Sequence, residues 1–148
     1  MYKDEILFEG EFLNDQRWNG SGKILDLNDE IQFEGNYLNG KWNGKGKEYN
    51  GKELIFEGEF LDGKRWKGKG KVYDEYNNLI FEGAYFNGEK SGPCKNYFKG
   101  GGLCYKLHKE YELVNGKING KYKEYDLSGK IILEVEYLLG DIIKKIKY

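Results

Sequence analysis

The sequence predicts an all-β fold: an elongated, twisted, single-layer antiparallel sheet of consecutive β-hairpins. Three observations predict it. The triplet FEG recurs at Phe8, Phe33, Phe56 and Phe81, at spacings of 25, 23 and 25 residues. A second ring follows each triplet, at Phe12, Tyr37, Phe60 or Tyr85, so rings and polar residues alternate with the period of a strand. Between the alternating segments lie Asn39-Gly40, Asn87-Gly88 and Asn115-Gly116, dipeptides whose two residues both tolerate the positive φ of a tight hairpin. About a dozen strands at ~4.8 Å spacing would span ~55–60 Å. No helical period of useful length is present to cover either face.

The chain reads as one repeat domain, 1–148. Its units cover about residues 8–32, 33–55, 56–80, 81–106 with an insertion, 107–132 in degenerate form, and 133–148. In the second unit the Asn39-Gly40 turn sets Tyr37 against Trp42, Gly35 against Gly44 and Glu34 against Lys45. Three-residue loops, Asn14-Asp15-Gln16 and Asp62-Gly63-Lys64, give the first and third units the same pairing. Phe12 then meets Trp18, Gly10 meets Gly20, Phe60 meets Trp66 and Gly58 meets Gly68. Glutamates and lysines share the other face, as in Glu59 with Lys67. Glycine inside a strand costs roughly 0.5–1 kcal/mol. Its recurrence at Gly10, Gly35, Gly58 and Gly83, opposite Gly20, Gly44 and Gly68, implies shallow slots in which neighbouring rings lie flat. From Leu107 onward Tyr111, Tyr122 and Val135 fill those slots. Leu133, Tyr137, Ile142 and Ile146 then give an aliphatic face that reads equally as a cap or as a dimer surface. Lysines on the last strand (Lys144, Lys145, Lys147) oppose open-ended stacking.

At 148 residues the chain is one domain's worth. Charged residues make up 33%, yet the net charge is -1, so no field is expected to draw in nucleic acid. No window is apolar enough for a membrane-spanning helix, and the N-terminus lacks a signal-peptide core, so a cytoplasmic location is expected. Cys94 and Cys104 are expected as free thiols there. Chemistry is sparse. His108 is the only histidine, which excludes a triad or a histidine metal cluster, and it reads as a residue of the charged surface. Glu57 and Glu59 recur against lysines and read as an ion-paired face rather than a glycosidase pair. Asp26 to Glu30 has the oxygens of a calcium loop without its length or central glycine, and reads as a turn. Gly100-Gly101-Gly102 reads as a flexible insertion, not a phosphate loop. No catalytic residue, metal, cofactor or small-molecule substrate is expected, and the chain is not expected to be an enzyme.

A single sheet layer must cover its apolar face or present it. The aromatic strip is therefore expected to be an interaction surface. Its residues are Phe12, Trp18, Tyr37, Trp42, Phe60, Trp66 and Tyr85, lining a groove for a protein partner. A second reading assigns Lys45, Lys47, Lys64, Arg65, Lys67, Lys69 and Lys71 to an anionic phospholipid surface. The interleaved Glu34, Glu57 and Glu59 weaken it.

The pattern F/Y-x-G-x-F/Y/W-x-x-G, followed by G-x-G at Gly20-Ser21-Gly22, Gly44-Lys45-Gly46 and Gly68-Lys69-Gly70, resembles the MORN repeat over about residues 8–92. Over 93–148 the segment NGKINGKYKEYDLSGK resembles looser bacterial MORN variants. The resemblance implies one hairpin per repeat and roles in scaffolding, homodimerisation, and cytoskeletal or membrane association. The bacterial likeness adds a third reading, an antitoxin-like or regulatory binder of a toxin or enzyme.

Overall fold

Alternating rings, two-residue turns and strand glycines together leave no element but the strand. A computed structural model describes residues 7–99 and 105–148; Cys104 and Gly100 to Gly102 lie outside the described residues. The fold is all-β, built of hairpin-linked antiparallel strands. They are β1 (Phe8–Leu13), β2 (Gln16–Leu25), β3 (Ile31–Leu38), β4 (Lys41–Asn50), β5 (Glu53–Leu61), β6 (Lys64–Tyr73) and β7 (Leu79–Phe86). Then come β8 (Glu89–Lys99), β9 (Tyr105–Val114), β10 (Lys117–Ile118), β11 (Gly120–Tyr125), β12 (Ile131–Leu138) and β13 (Asp141–Lys147). Two compact units divide the chain, the first ending at Gly68 and the second starting at Lys69, so the division falls inside β6. In each unit strand order follows chain order; in the second, β10 and β11 both pair with β9.

Each hairpin turns on two residues of positive φ. Asn39-Gly40, Asn87-Gly88 and Asn115-Gly116 do so as expected. Asn14-Asp15 and Asp62-Gly63 do so as well, which corrects the three-residue loops expected there. Aspartate tolerates the left-handed conformation, so Asp15 completes a tight turn, and the extra residue moves into the strand as a bulge. In consequence Phe12 meets Arg17 rather than Trp18, while Gly10 meets Gly20 as expected. In the second hairpin Tyr37 meets Trp42 as expected, but Gly35 meets Gly46 and Glu34 meets Lys47. The cause is Gly44, whose φ of +78° turns β4 out of the ladder. The expected apposition of Gly58 with Gly68 is present: a Cβ added to Gly58 would lie 2.7 Å from the Gly68 Cα.

The turns are also fastened sideways, which the sequence reading missed. Asn19 Oδ1 accepts the Asn39 N–H at 2.9 Å, and the Trp18 carbonyl accepts the Gly40 N–H at 2.9 Å. Asn43 and Trp42 hold Asp62 and Gly63 in the same way, and Asn119 and Ile118 hold Leu139 and Gly140. An aromatic or isoleucine followed by Asn is thus a clamp on the next turn. The clamp at Asn119 retains a leucine at φ 48° in the final hairpin. A left-handed conformation costs an ordinary residue roughly 1–2 kcal/mol. Leu139→Gly is therefore expected to raise stability by about 1 kcal/mol in urea unfolding; an unchanged or lower midpoint would contradict the strain.

Aspartate turns join β2 to β3, β6 to β7 and β11 to β12. The Oδ1 atoms of Asp26, Asp74 and Asp126 each accept the N–H groups two and four residues on, at 2.8–3.0 Å. The Asp26 to Glu30 segment is thus a turn, as expected. The Ser128 hydroxyl, followed by the Lys130 N–H, holds the Asp126 carboxyl below its usual range. At Asp74 burial works the other way, but hydrogen bonds from Asn78 and Tyr105 lower its pKa.

Candidate interaction face

The core of the first unit is a chain of rings on one face. Phe33 and Phe56 are fully buried, and Phe60 and Tyr37 nearly so, at 3% and 7% exposure. Glycine makes this possible. A Cβ at Gly46 would lie 2.8 Å from the Phe33 ring, and one at Gly22 would lie 2.8 Å from the Phe8 ring. Each FEG phenylalanine thus lies over strand glycines whose missing side chains leave it room. At Gly35 the backbone adds its own demand, since φ is +157° and an added Cβ would meet Gly46 Cα at 2.6 Å.

The rings meet edge to face. Phe8 touches Phe12 and Tyr37 with centroids 5.2 and 5.4 Å apart; Phe33 touches Tyr37 and Phe60 at 5.8 and 5.2 Å; Phe56 touches Phe60 at 5.0 Å. Trp42 stacks flat on Phe33 at 4.1 Å. Such contacts stabilise by about 0.5–1.5 kcal/mol each beyond burial. The bulge decides what covers each phenylalanine. Trp42, in register with Tyr37, covers Phe33. Around the Trp18 bulge the Arg17 guanidinium instead sits 5.4 Å from the Phe8 ring centre, and Arg65 sits 5.0 Å from that of Phe56. In the second unit Lys90 stands 3.8 Å over Phe81.

The seven aromatic candidates therefore divide. Tyr37 and Phe60 belong to the buried floor. Trp18, Trp42, Trp66 and Tyr85 are half-buried, and Phe12 is 61% exposed. Phe12, Tyr37, Trp42 and Phe60 join one ring cluster with Phe8, Phe33 and Phe56, which the sequence reading had not placed among the site residues. Tyr85 lies in the second unit beside Phe81, with ring centres 6.5 Å apart.

The opposite face of the first unit is polar. A row of glycines, Gly22, Gly35, Gly46, Gly58 and Gly68, floors an open groove of about 750 Å³. The residues flanking each glycine form two walls. One wall runs Lys23, Glu34, Lys47, Glu57 in direct register from β2 to β5. Lys47 and Glu57 are 3.6 Å apart, and the Tyr49 hydroxyl donates to Glu34. Burial, then the Glu34 charge, raises the Tyr49 pKa. The basic candidates do not share a face. Lys45, Lys47 and Lys67 line the groove, whereas Arg65 lies over Phe56 on the aromatic side and pairs with Glu48 at 2.8 Å. Lys64 and Lys69 are exposed and Lys71 is half-buried.

The second unit repeats the polar alternation as Glu82, Lys95, Glu110, Lys123, Glu134. Lys95 lies 3.5 Å from Glu82 and 3.9 Å from Glu110. Tyr97 and Tyr125 donate to Glu82 and Glu110. Burial, then the hydrogen-bonded carboxylate, pushes the Tyr125 pKa up to about 12. Where the first unit has glycines, the second has Cys94, Tyr111, Tyr122 and Val135, consistent with the expected filling of slots; Cys94 and Val135 are each 2% exposed. His108 departs from its expected place on the charged surface. It is half-buried, packs edge-on against Phe98 at 4.8 Å and stands 3.8 Å from Glu124. Of the C-terminal candidates, Ile142 is 57% exposed, and Leu133, Tyr137 and Ile146 are half-buried. Among the described residues no cluster could hold a metal ion, and no helix is long and apolar enough to cross a membrane.

No family model matches the chain, and no curated protein matches it.

Proposed function

We propose that the protein is a non-enzymatic interaction module of the MORN-repeat kind, with the aromatic face of the first unit as its protein-binding surface. The observation that carries this reading is the layering of that face. A closed floor of Phe33, Tyr37, Phe56 and Phe60 supports the half-buried Trp42, and an exposed Phe12 stands beside Phe8 at its edge. Aromatic side chains held in place by a rigid floor lose little freedom when they bind, which makes them good anchors for a protein partner. The anionic-membrane reading draws less support, because its basic residues lie on two faces and Lys47 and Arg65 already face carboxylates.

Phe12 is the informative site, since its truncation leaves the buried floor intact. Phe12→Ser combined with Trp18→Ala is expected to reduce capture of the partner protein at least tenfold in a pull-down, with circular dichroism unchanged. Equal capture by wild type and variant would contradict the proposal.

A further inference from the structure

The hairpins β1–β2 and β5–β6 share their sequence signals. Both first strands contain FEGEFL, at Phe8–Leu13 and at 56–61, and both second strands carry Arg-Trp, at Arg17 and at Arg65. In each the arginine stands over the FEG ring, Arg17 5.4 Å from the centre of Phe8 and Arg65 5.0 Å from that of Phe56. The hairpins differ in what lies on the outer side of the first strand. There β5 pairs with β4, which sets Glu48 against Phe56, Lys47 against Glu57, Gly46 against Gly58, Lys45 against Glu59 and Gly44 against Phe60. Glu48 reaches Arg65 at 2.8 Å. The FEG ring that carries an indole differs again: Phe33, under Trp42, has Ile24 opposite it on β2. An arginine over the ring thus goes with a glutamate opposite, and an indole with an aliphatic side chain. Among the described residues β1 pairs with β2 alone, and neither Arg17 nor Glu9 is in an ion pair.

The backbone of β1 is set for another strand. A Cβ added at Gly10 would lie 2.7 Å from the Gly20 Cα, just as one at Gly58 would from the Gly68 Cα. Such close pairs exchange no hydrogen bonds in an antiparallel ladder. The N–H and carbonyl of Gly10 therefore point away from β2, as those of Gly58 point to β4. Leu7, three residues earlier, is bonded to β2 instead, its carbonyl accepting the Lys23 N–H at 2.6 Å. We infer that the outer edge of β1 is a strand-addition site for an extended segment of a partner protein, with the chemistry Gly-Lys-Gly-Lys-Glu. The added strand runs antiparallel to β1. Its glutamate lies opposite Phe8 and takes Arg17, and its lysines face Glu9 and Glu11. Its glycines face Gly10 and Phe12, where a side chain would crowd the Phe12 ring as a Cβ at Gly46 would crowd Phe60, at 3.2 Å. In this mode of recognition main-chain hydrogen bonds supply affinity and the alternate side chains supply selectivity. The same segment of a second copy is not available, since β4 is already paired on both sides. The site lies at the sheet edge and does not depend on the aromatic face taking a partner.

The probe is a fluorescein-labelled peptide with the sequence of β4, KWNGKGKEYN, titrated into the full chain and followed by anisotropy. Saturable binding is expected, about tenfold weaker when the peptide carries Glu48→Lys and so loses its charge-assisted contact. In the protein, Arg17→Glu is expected to reverse that preference, so that the lysine peptide binds about tenfold better than the glutamate peptide. Hydrogen-exchange NMR is expected to show the Phe8 and Gly10 amides slowing when the peptide binds. Absence of saturable binding would overturn the inference. So would a preference that Arg17→Glu leaves unchanged, or slowing confined to other strands, since either places the peptide elsewhere. If Arg17→Glu fails to fold, the exposed Glu9 gives the same readings: Glu9→Lys should prefer a peptide carrying Lys47→Glu, and wild type the unaltered one.

Discussion

Phe33→Ala is expected to lose about 3–5 kcal/mol of stability, the range for removing a buried phenylalanine. Its ring is 0% exposed and touches Tyr37, Trp42 and Phe60. Three features keep the site from closing after truncation. The glycines beneath it have no side chains to move inward, β3 and β4 are fixed by their ladder, and Trp42 would lose the surface on which it stacks. Whole-domain stabilities are about 5–15 kcal/mol, so the variant should be near the limit of folding. Urea unfolding followed by tryptophan fluorescence measures the loss, and Trp42 should report it directly. A loss below about 1 kcal/mol would mean that the ring chain is not the core.

Gly46→Ala is the converse experiment, adding a methyl group instead of removing a ring. The new Cβ would lie 2.8 Å from two atoms of the Phe33 ring and 3.2 Å from Phe60. Neither ring can withdraw, since each is packed edge to face against others. Overpacking of this kind costs about 1–3 kcal/mol, against about 0.4–1 kcal/mol recovered by restricting the unfolded chain. The net expectation is a loss of about 1–2 kcal/mol. It is a revealing sign, because the same substitution at an unobstructed strand position should stabilise.

Much of this architecture was legible in the sequence, for identifiable reasons. Asn-Gly turns and the FEG period are local signals, and they gave the hairpins and their order. The pairing of Gly10 with Gly20 followed from counting outward from a turn. Counting failed where the chain leaves the ladder. Gly44 adopts a positive φ and shifts everything beyond it by two residues, so that Gly46 replaces Gly44 opposite Gly35. Nothing in the identity of a single glycine says whether it will pair or bulge. The aspartate turn at Asn14-Asp15 was hidden in the same way, as was Leu139-Gly140, where leucine gives no turn signal and Asn119 supplies the restraint from another hairpin. These register shifts also explain why Trp18 and Trp42, alike in sequence, differ in place: Trp42 pairs with Tyr37 and stacks on Phe33, whereas Arg17 takes the position expected of Trp18. The split of the aromatic candidates into floor and rim depended on burial, which alternation alone does not give.

Whether the strand glycines serve as seats for the rings is tested most directly by a double-mutant cycle between positions 46 and 33. Gly46→Ala is made in wild type and in a Phe33→Leu background, where the shorter side chain no longer reaches over the glycine. The stability of all four proteins is measured by urea unfolding. If the seat exists for the ring, the loss caused by Gly46→Ala should shrink by at least about 1 kcal/mol in the Phe33→Leu background, within the range for residues in contact. An equal loss in both backgrounds would show that Gly46 answers to the backbone alone, and would contradict the seating of Phe33 in its slot.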